Sequence, residues 1–162
     1  MATIYSQSPN LLDSSIFVNN RHLSPTTGMP ATSNGRIATN TPIDVSTLTN
    51  VCFSFSLSSY TAALFMYSIF SEGQLIERVV GKTSGDSIDV SNADELYLSI
   101  YVGNQSISTT DVQWAMLNSG NTPLPYEPYG YIWQNLIPKI YRANLQTWED
   151  LPDKESSGGT WT

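Results

Sequence analysis

The residues of this sequence whose types suit catalysis are one histidine and the carboxylates. His22 follows Arg21 in a polar stretch, and it is the sequence's only imidazole that could activate a nucleophile. Serine and aspartate are so frequent that no spacing selects a partner for it. We therefore expect no catalytic residue and no enzymatic activity, with a glycan-active hydrolase as the less favoured alternative.

Paired carboxylates could serve a glycosidase or hold a calcium ion. Asp86 with Asp89, and Asp94 with Glu95, are close in sequence, but they stand at turns and strand starts, where acidic residues are ordinary. Asp89 and Asp94 are also candidate ligands of a structural calcium ion, although the sequence has no D-x-D-x-D-G loop. The sequence therefore predicts no metal and no cofactor, and structural calcium stays open as the alternative.

Tyrosines beside an amide suit a different chemistry, the binding of a sugar by ring stacking and hydrogen bonds. Tyr97 and Tyr101 share one face of a predicted strand, and Gln113 lies on a nearby strand. Tyr126 and Tyr129 share one edge of "PLPYEPY" if that stretch is polyproline II. These five residues form the predicted ligand-binding set. The alternative is that a second sheet buries Tyr97 and Tyr101, and that the proline-rich stretch only closes the domain.

Composition limits the partners of the chain. The net charge is −7 with a pI near 4.4, which argues against nucleic acid and anionic membrane as partners. Cys52 is the single cysteine, so no internal disulfide forms, and its apolar surroundings predict a buried thiol. The N-terminal segment lacks the basic and apolar regions of a signal peptide, so we expect synthesis in the cytoplasm.

Alternating apolar residues predict a protein made of strands. "VCFSFSL" (51–57) and "ELYLSIYV" (95–102) alternate with a period of two, while "AALFMYSIF" (62–70) is apolar on both faces and predicts a central strand. In "DVQWAML" (111–117) the same period places Trp114 in the core. The fold class is all-β, an antiparallel sandwich of the jelly-roll kind. The predicted core consists of Phe53, Phe55, Leu64, Met66, Leu96, Leu98, Ile100, Val112 and Trp114.

Changes in composition divide the chain into three segments. Residues 1–35 read as a loop-rich arm with the first strands, residues 36–130 as the sandwich, and residues 131–162 as a linker or assembly arm with an extended course. The last segment carries apolar residues that a lone arm has no means to bury, which indicates contact with another chain. The predicted assembly residues are Trp133, Ile137, Ile140 and Trp148.

The closing motif "VQWAMLNSGNTPLPYEPYG" resembles a recurring module of phage tail, baseplate and fibre proteins, together with "LLD", "VCFSFS" and "YSIFSEGQLI" earlier in the chain. Those modules are jelly rolls similar to carbohydrate-binding modules, and the resemblance covers roughly residues 10–130. Asn118 replaces the acidic residue usual in the family, and Leu124-Pro125 is an insertion.

The resemblance implies a non-enzymatic virion component that contacts other virion proteins and forms a homo-oligomer, with a trimer as the first expectation. Modules of this kind are often scaffolds, so the expectation of a host-surface glycan as ligand rests on the tyrosine set above. The alternatives are a structural adaptor or spacer without a ligand, and a capsid decoration protein.

Overall fold

The structure, a computed structural model, describes residues 5–133, and the side chains of residues 8–130. One-turn 3-10 helices at Ser14–Ile16 and Thr109–Asp111 lead into the second and the tenth strand. Across residues 5–133, no helix is long and apolar enough to cross a membrane. The strands are β1 (Tyr5–Gln7), β2 (Phe17–Leu23), β3 (Pro30–Thr39), β4 (Ile43–Asp44), β5 (Asn50–Leu57), β6 (Leu64–Ser71), β7 (Gln74–Thr83), β8 (Asp86–Asp89), β9 (Glu95–Tyr101), β10 (Val112–Ser119) and β11 (Tyr131–Trp133).

Residues 8–130 form one unit in which two antiparallel sheets pack face to face. The larger sheet has the order β2-β3-β9-β6-β7, with β4 pairing β9 as its sixth strand, and the smaller sheet has the order β10-β5-β8. The predicted all-β antiparallel sandwich is therefore confirmed.

Phenylalanine side chains from both sheets meet between them. Phe53 of β5 is fully buried, and its ring meets that of Phe65 of β6 edge-on with centroids 5.0 Å apart. Phe55 and Phe17 add further rings to the same cluster at 5.2 and 6.4 Å from the Phe53 centroid. Alternation along β5 and β9 produces this core, as predicted, because side chains at i and i+2 point to one face.

The outer face of the larger sheet carries a second, smaller core. The prediction that β6 is buried on both faces is confirmed, since Phe65 points to the inner core and Met66 to this outer one. Met66 was expected in the main core, and Leu64 and Val112 are only partly buried. The outer cluster consists of Leu23, Ala38, Met66, Phe70 and Tyr97.

A bend in the β2–β3 hairpin covers this outer face. In a flat sheet β2 and β7 would lie about 19 Å apart, at four strand spacings, yet the Arg78 guanidinium of β7 donates to the Leu23 carbonyl of β2 at 2.9 and 3.1 Å. The register shifts after Asn19, beside Asn20 at φ 57° and Gly35 at φ 73°. The hairpin end therefore leaves the sheet plane and folds over β9 and β6.

Gly35 is required at this bend. Its positive φ disfavours other residues, and a Cβ there would lie 3.0 Å from the Ser106 Cα. Because the bend carries the hairpin end into the domain, the predicted boundary after residue 35 is wrong: it falls inside β3, and β2 belongs to the sandwich. The predicted module limits of 10–130 lie close to the observed unit, Ser8–Gly130.

A separate unit contains β1 and β11, which pair antiparallel with Tyr5 opposite Trp133 and Gln7 opposite Tyr131. The predicted arm thus begins, at residues 131–133, as a strand paired with the N-terminal segment.

Candidate functional site

A β-bulge in β10 changes which side chains reach the surface. Val112 lies opposite Leu57 and Trp114 opposite Ser56, so Gln113 is the extra residue. Beyond the bulge Ala115 faces the inner core and Trp114 faces outward. The prediction that Trp114 is a core residue is therefore wrong, because the inserted residue reverses the period of two.

The bulge places a half-buried tryptophan beside an amide on the outer face of the smaller sheet. The Tyr126 ring stacks on Trp114 with centroids 5.3 Å apart and planes 28° apart. The Ser56 hydroxyl donates to the Gln113 side-chain carbonyl at 2.9 Å, next to the tryptophan. We call Ser56, Gln113, Trp114 and Tyr126 the aromatic patch. Tyr126 is 45% exposed, so an open ring edge and an amide are available to a ligand.

The closing segment, residues 119–130, is fixed in place by two buried asparagines. Asn118 donates to the carbonyls of Ser119 and Thr122 at 3.0 and 2.9 Å and accepts from the Leu124 amide at 3.2 Å. Asn10 donates to the Glu127 carbonyl at 3.0 Å. These bonds hold Tyr126 against Trp114, so the patch is preorganised in the absence of a ligand.

The predicted ligand-binding set divides between two sheets. Gln113 and Tyr126 belong to the aromatic patch, and Tyr129, which is 56% exposed, follows in the closing segment. Tyr97 is buried in the outer cluster of the other sheet, against Phe70 at 5.6 Å, so its expected role as a sugar platform is wrong.

Tyr101 is partly buried beside the same outer cluster. The Arg36 guanidinium lies 5.2 Å from its ring centroid. Its ring is therefore occupied by a cation, and it does not share a surface patch with Gln113.

Carboxylates at the turns are engaged by neighbouring backbone and hydroxyl groups. Asp86 accepts from the Thr83 amide at 2.8 Å, Asp89 from the Ser91 amide at 2.9 Å, and Asp94 from the Glu72 amide at 2.9 Å. The hydrogen bonds from Ser91 lower the pKa of Asp89. Within residues 8–130, no group of three His, Cys, Asp or Glu side chains is placed to hold a metal ion. Asp89 and Asp94 are thus capping groups of separate turns.

The single thiol is enclosed. Cys52 is buried, its Sγ lies 3.1 Å from the Gly85 carbonyl, and burial raises the pKa of the thiol. A raised pKa suppresses the reactive thiolate at neutral pH.

His22 lies in β2 opposite Ala31, not in the loop that its polar neighbours indicate. Its Nδ1 is buried and has no hydrogen-bond partner among residues 8–130. Burial, followed by the positive charge of Arg36, lowers the pKa of the imidazole, and the charge of Arg78 acts in the same direction. Within the part of the chain whose side chains are described, no carboxylate orients this ring, unlike the histidine of a catalytic triad.

We expect the stability of the protein to fall as the pH drops below about 6.5, the ordinary pKa of histidine. The lowered pKa means that the unfolded chain binds the proton first, so acid favours unfolding. Between pH 7.5 and pH 5.5, the melting temperature of His22→Gln should fall by less than that of the native chain. His22 is the only histidine in the sequence, so the difference reports on this ring. Equal losses in the two proteins would contradict the assignment.

The predicted assembly residues fall mostly outside the described residues. Trp133 ends β11, where its backbone lies opposite Tyr5. Ile137, Ile140 and Trp148 lie beyond residue 133.

No protein-family model matches the chain, and neither the curated proteins nor the solved structures contain a match to it.

Proposed function

We propose that this protein is a non-enzymatic structural component of a phage virion, in the tail, baseplate or fibre. The support is the closing motif of residues 112–130, which resembles that of jelly-roll modules in such proteins, together with an antiparallel sandwich of the matching class. Within this proposal the sandwich is a jelly roll similar to carbohydrate-binding modules.

We propose further that the module binds a host-surface glycan at the aromatic patch. Sugars present apolar C–H faces to aromatic rings and hydroxyls to amides. Tyr126 offers a ring that is 45% exposed, and Gln113 offers an exposed amide whose carbonyl is already paired with Ser56. The amide N–H groups of Gln113 are then left for a sugar hydroxyl. This arrangement is the single observation that favours a binding module over a spacer.

Removing the Tyr126 ring should weaken glycan binding about tenfold, because a stacked aromatic contributes roughly 1 kcal/mol beyond its buried area. Isothermal titration of Tyr126→Ala with oligosaccharides released from the host envelope measures this. Tyr126→Phe is the matched control: it keeps the ring and should bind within about twofold of the native chain.

Leu124→Ala is a second control that should bind as the native chain does, since this exposed leucine lies in the same segment but outside the patch. Native affinity in Tyr126→Ala, or no binding of any host oligosaccharide by the native chain, would contradict glycan binding at the patch.

The alternative function is a structural adaptor or a capsid decoration without a ligand. Its support is the closing segment itself, since the bonds of Asn10 and Asn118 make it a rigid strap. An adaptor of this kind would remain in the virion after Tyr126→Ala and would bind no oligosaccharide.

We also propose that the chain is a homo-oligomer, with a trimer as the first expectation from the family resemblance, and that residues 131–162 are the assembly arm. Light scattering of the purified chain, with and without residues 134–162, measures the mass. A monomer in both forms would exclude this arm as an assembly element.

A further inference from the structure

Three strands bring basic side chains together on the outer face of the larger sheet. His22 lies on β2, Arg36 on β3 at the hairpin bend, and Arg78 on β7. The bend makes this possible, because it carries the end of β2 to the Arg78 guanidinium, which holds the Leu23 carbonyl at 2.9 Å. We call His22, Arg36 and Arg78 the basic cluster: Arg78 contacts Met66 of the outer cluster, Arg36 lies over Tyr101 beside it, and both charges act on the His22 ring. Arg21 precedes His22 in β2 and therefore lies on the other face of that strand.

Among residues 8–130, no carboxylate contacts the charges of the basic cluster. Arg78 donates to the Leu23 carbonyl, and Arg36 lies over the Tyr101 ring. Both of these partners are uncharged. The two arginines are partly exposed, so each keeps donors that solvent or a ligand reaches.

This concentration of charge runs against the rest of the molecule. The chain has 14 acidic and 7 basic residues, and within residues 8–130 the only Lys or Arg residues outside the cluster are Arg21 and Lys82. Like charges held together without counter-charges destabilise a fold. The depressed pKa of His22 has this cause in part, since Arg36 and Arg78 oppose a further positive charge. An anion bound among these groups would relieve the repulsion.

We infer that the basic cluster is a binding site for an anionic group, a carboxylate or a phosphate, carried by a polysaccharide. Guanidinium groups match both anions with paired N–H donors. Tyr101, under Arg36, supplies a ring beside the charges. The inference rests on the proposed glycan binding for the carrier of the charge, and it places that charge on the opposite sheet from the aromatic patch.

The test uses ligands that differ only in charge. Oligogalacturonate supplies carboxylates, its full methyl ester is the neutral counterpart, and poly(glycerol phosphate) supplies phosphates. We expect at least one anionic oligomer to bind the native chain at least tenfold more tightly than the ester, with binding that weakens as salt rises. Calorimetric titration measures the affinities.

The variant Arg36→Gln should weaken binding of that anionic oligomer about tenfold, the loss expected for a charged hydrogen bond. Lys82→Gln is the matched control and should change it by less than about twofold. Arg78 is left unchanged because its bonds hold the hairpin. Circular dichroism and melting curves establish that each variant is folded.

Two outcomes separate this inference from the glycan site. Equal affinity for the anionic oligomers and the ester, with binding lost in Tyr126→Ala, would overturn the basic cluster and keep the aromatic patch. Anionic binding lost in Arg36→Gln but retained in Tyr126→Ala would support the basic cluster, and the aromatic patch would then be judged by the neutral oligosaccharides alone. A loss in Lys82→Gln equal to that in Arg36→Gln would also overturn the inference, since it would indicate charge attraction without a site.

Discussion

Replacing Phe53 with alanine is expected to lower the free energy of unfolding by about 3 to 5 kcal/mol, the range for a large side chain removed from a packed core. Phe53 is fully buried on β5. Its ring contacts Phe17 and Phe65 of the larger sheet and Phe55 of its own strand. Three aromatic neighbours from different strands leave little freedom to close the cavity.

Urea denaturation of the native chain and Phe53→Ala measures the loss. Ile76→Ala is the control, because Ile76 is 47% exposed on β7 and its truncation should cost well under about 1 kcal/mol. A cost below about 1 kcal/mol for Phe53→Ala would mean that the two sheets do not pack through this ring.

Asn10→Ala is the second large effect, expected to cost about 3 kcal/mol, since it leaves several buried backbone groups without partners. Asn10 is 3% exposed. Its amide nitrogen donates to the carbonyls of Ala115 and Glu127 at 3.2 and 3.0 Å, and its oxygen accepts from the amides of Leu12 and Leu117 at 3.0 and 3.1 Å. The side chain thereby pairs with the free edge of β10 as a neighbouring strand would.

This substitution should also release the closing segment, because the bond to Glu127 is lost. Faster hydrogen exchange at residues 119–130, measured alongside urea denaturation, would report the release. Asn40→Ala is the control, since Asn40 is exposed and only its backbone amide is hydrogen-bonded, to Ile16. Native exchange rates in Asn10→Ala would show that the strap is held by other contacts.

The sequence was sufficient for the parts of the fold that follow a regular period. The alternation of β5 and β9 predicts Phe53, Phe55, Leu96, Leu98 and Ile100 in the core, and all five are buried there. The expectation for Trp114 failed because one bulged residue, Gln113, reverses the period, and a bulge has no reliable signal in residue types alone.

The bend in the β2–β3 hairpin shows the second kind of failure. Asn34-Gly35 is a turn signal, and composition alone assigned it to a loop. The structure places it inside a strand pair, where it redirects the hairpin over β9 and β6. Tyr97 is buried because the bend brings Leu23, from a strand distant in the sheet, into the same cluster. Such long-range contacts carry no local pattern.

The candidate site was predicted only in part, again because its contacts depend on irregular features of the strands. Tyr126 and Gln113 were predicted from their residue types and their places in the strand and proline-rich patterns, and they lie in one patch. Tyr126 stacks on Trp114 beside Gln113 only because the bulge turns Trp114 outward. The basic cluster forms only because the bend brings β2 to Arg78. Asn10 was missed entirely, since its role is a set of contacts to residues more than one hundred positions away.

We propose that this chain is a structural part of a virion, and the most direct test is quantitative mass spectrometry of phage particles purified by density gradient from a lysed host culture. We predict that its peptides co-sediment with the particles at a fixed copy number, a multiple of three, that high salt does not strip. Peptides found only in the soluble fraction, with none in the purified particles, would contradict the account.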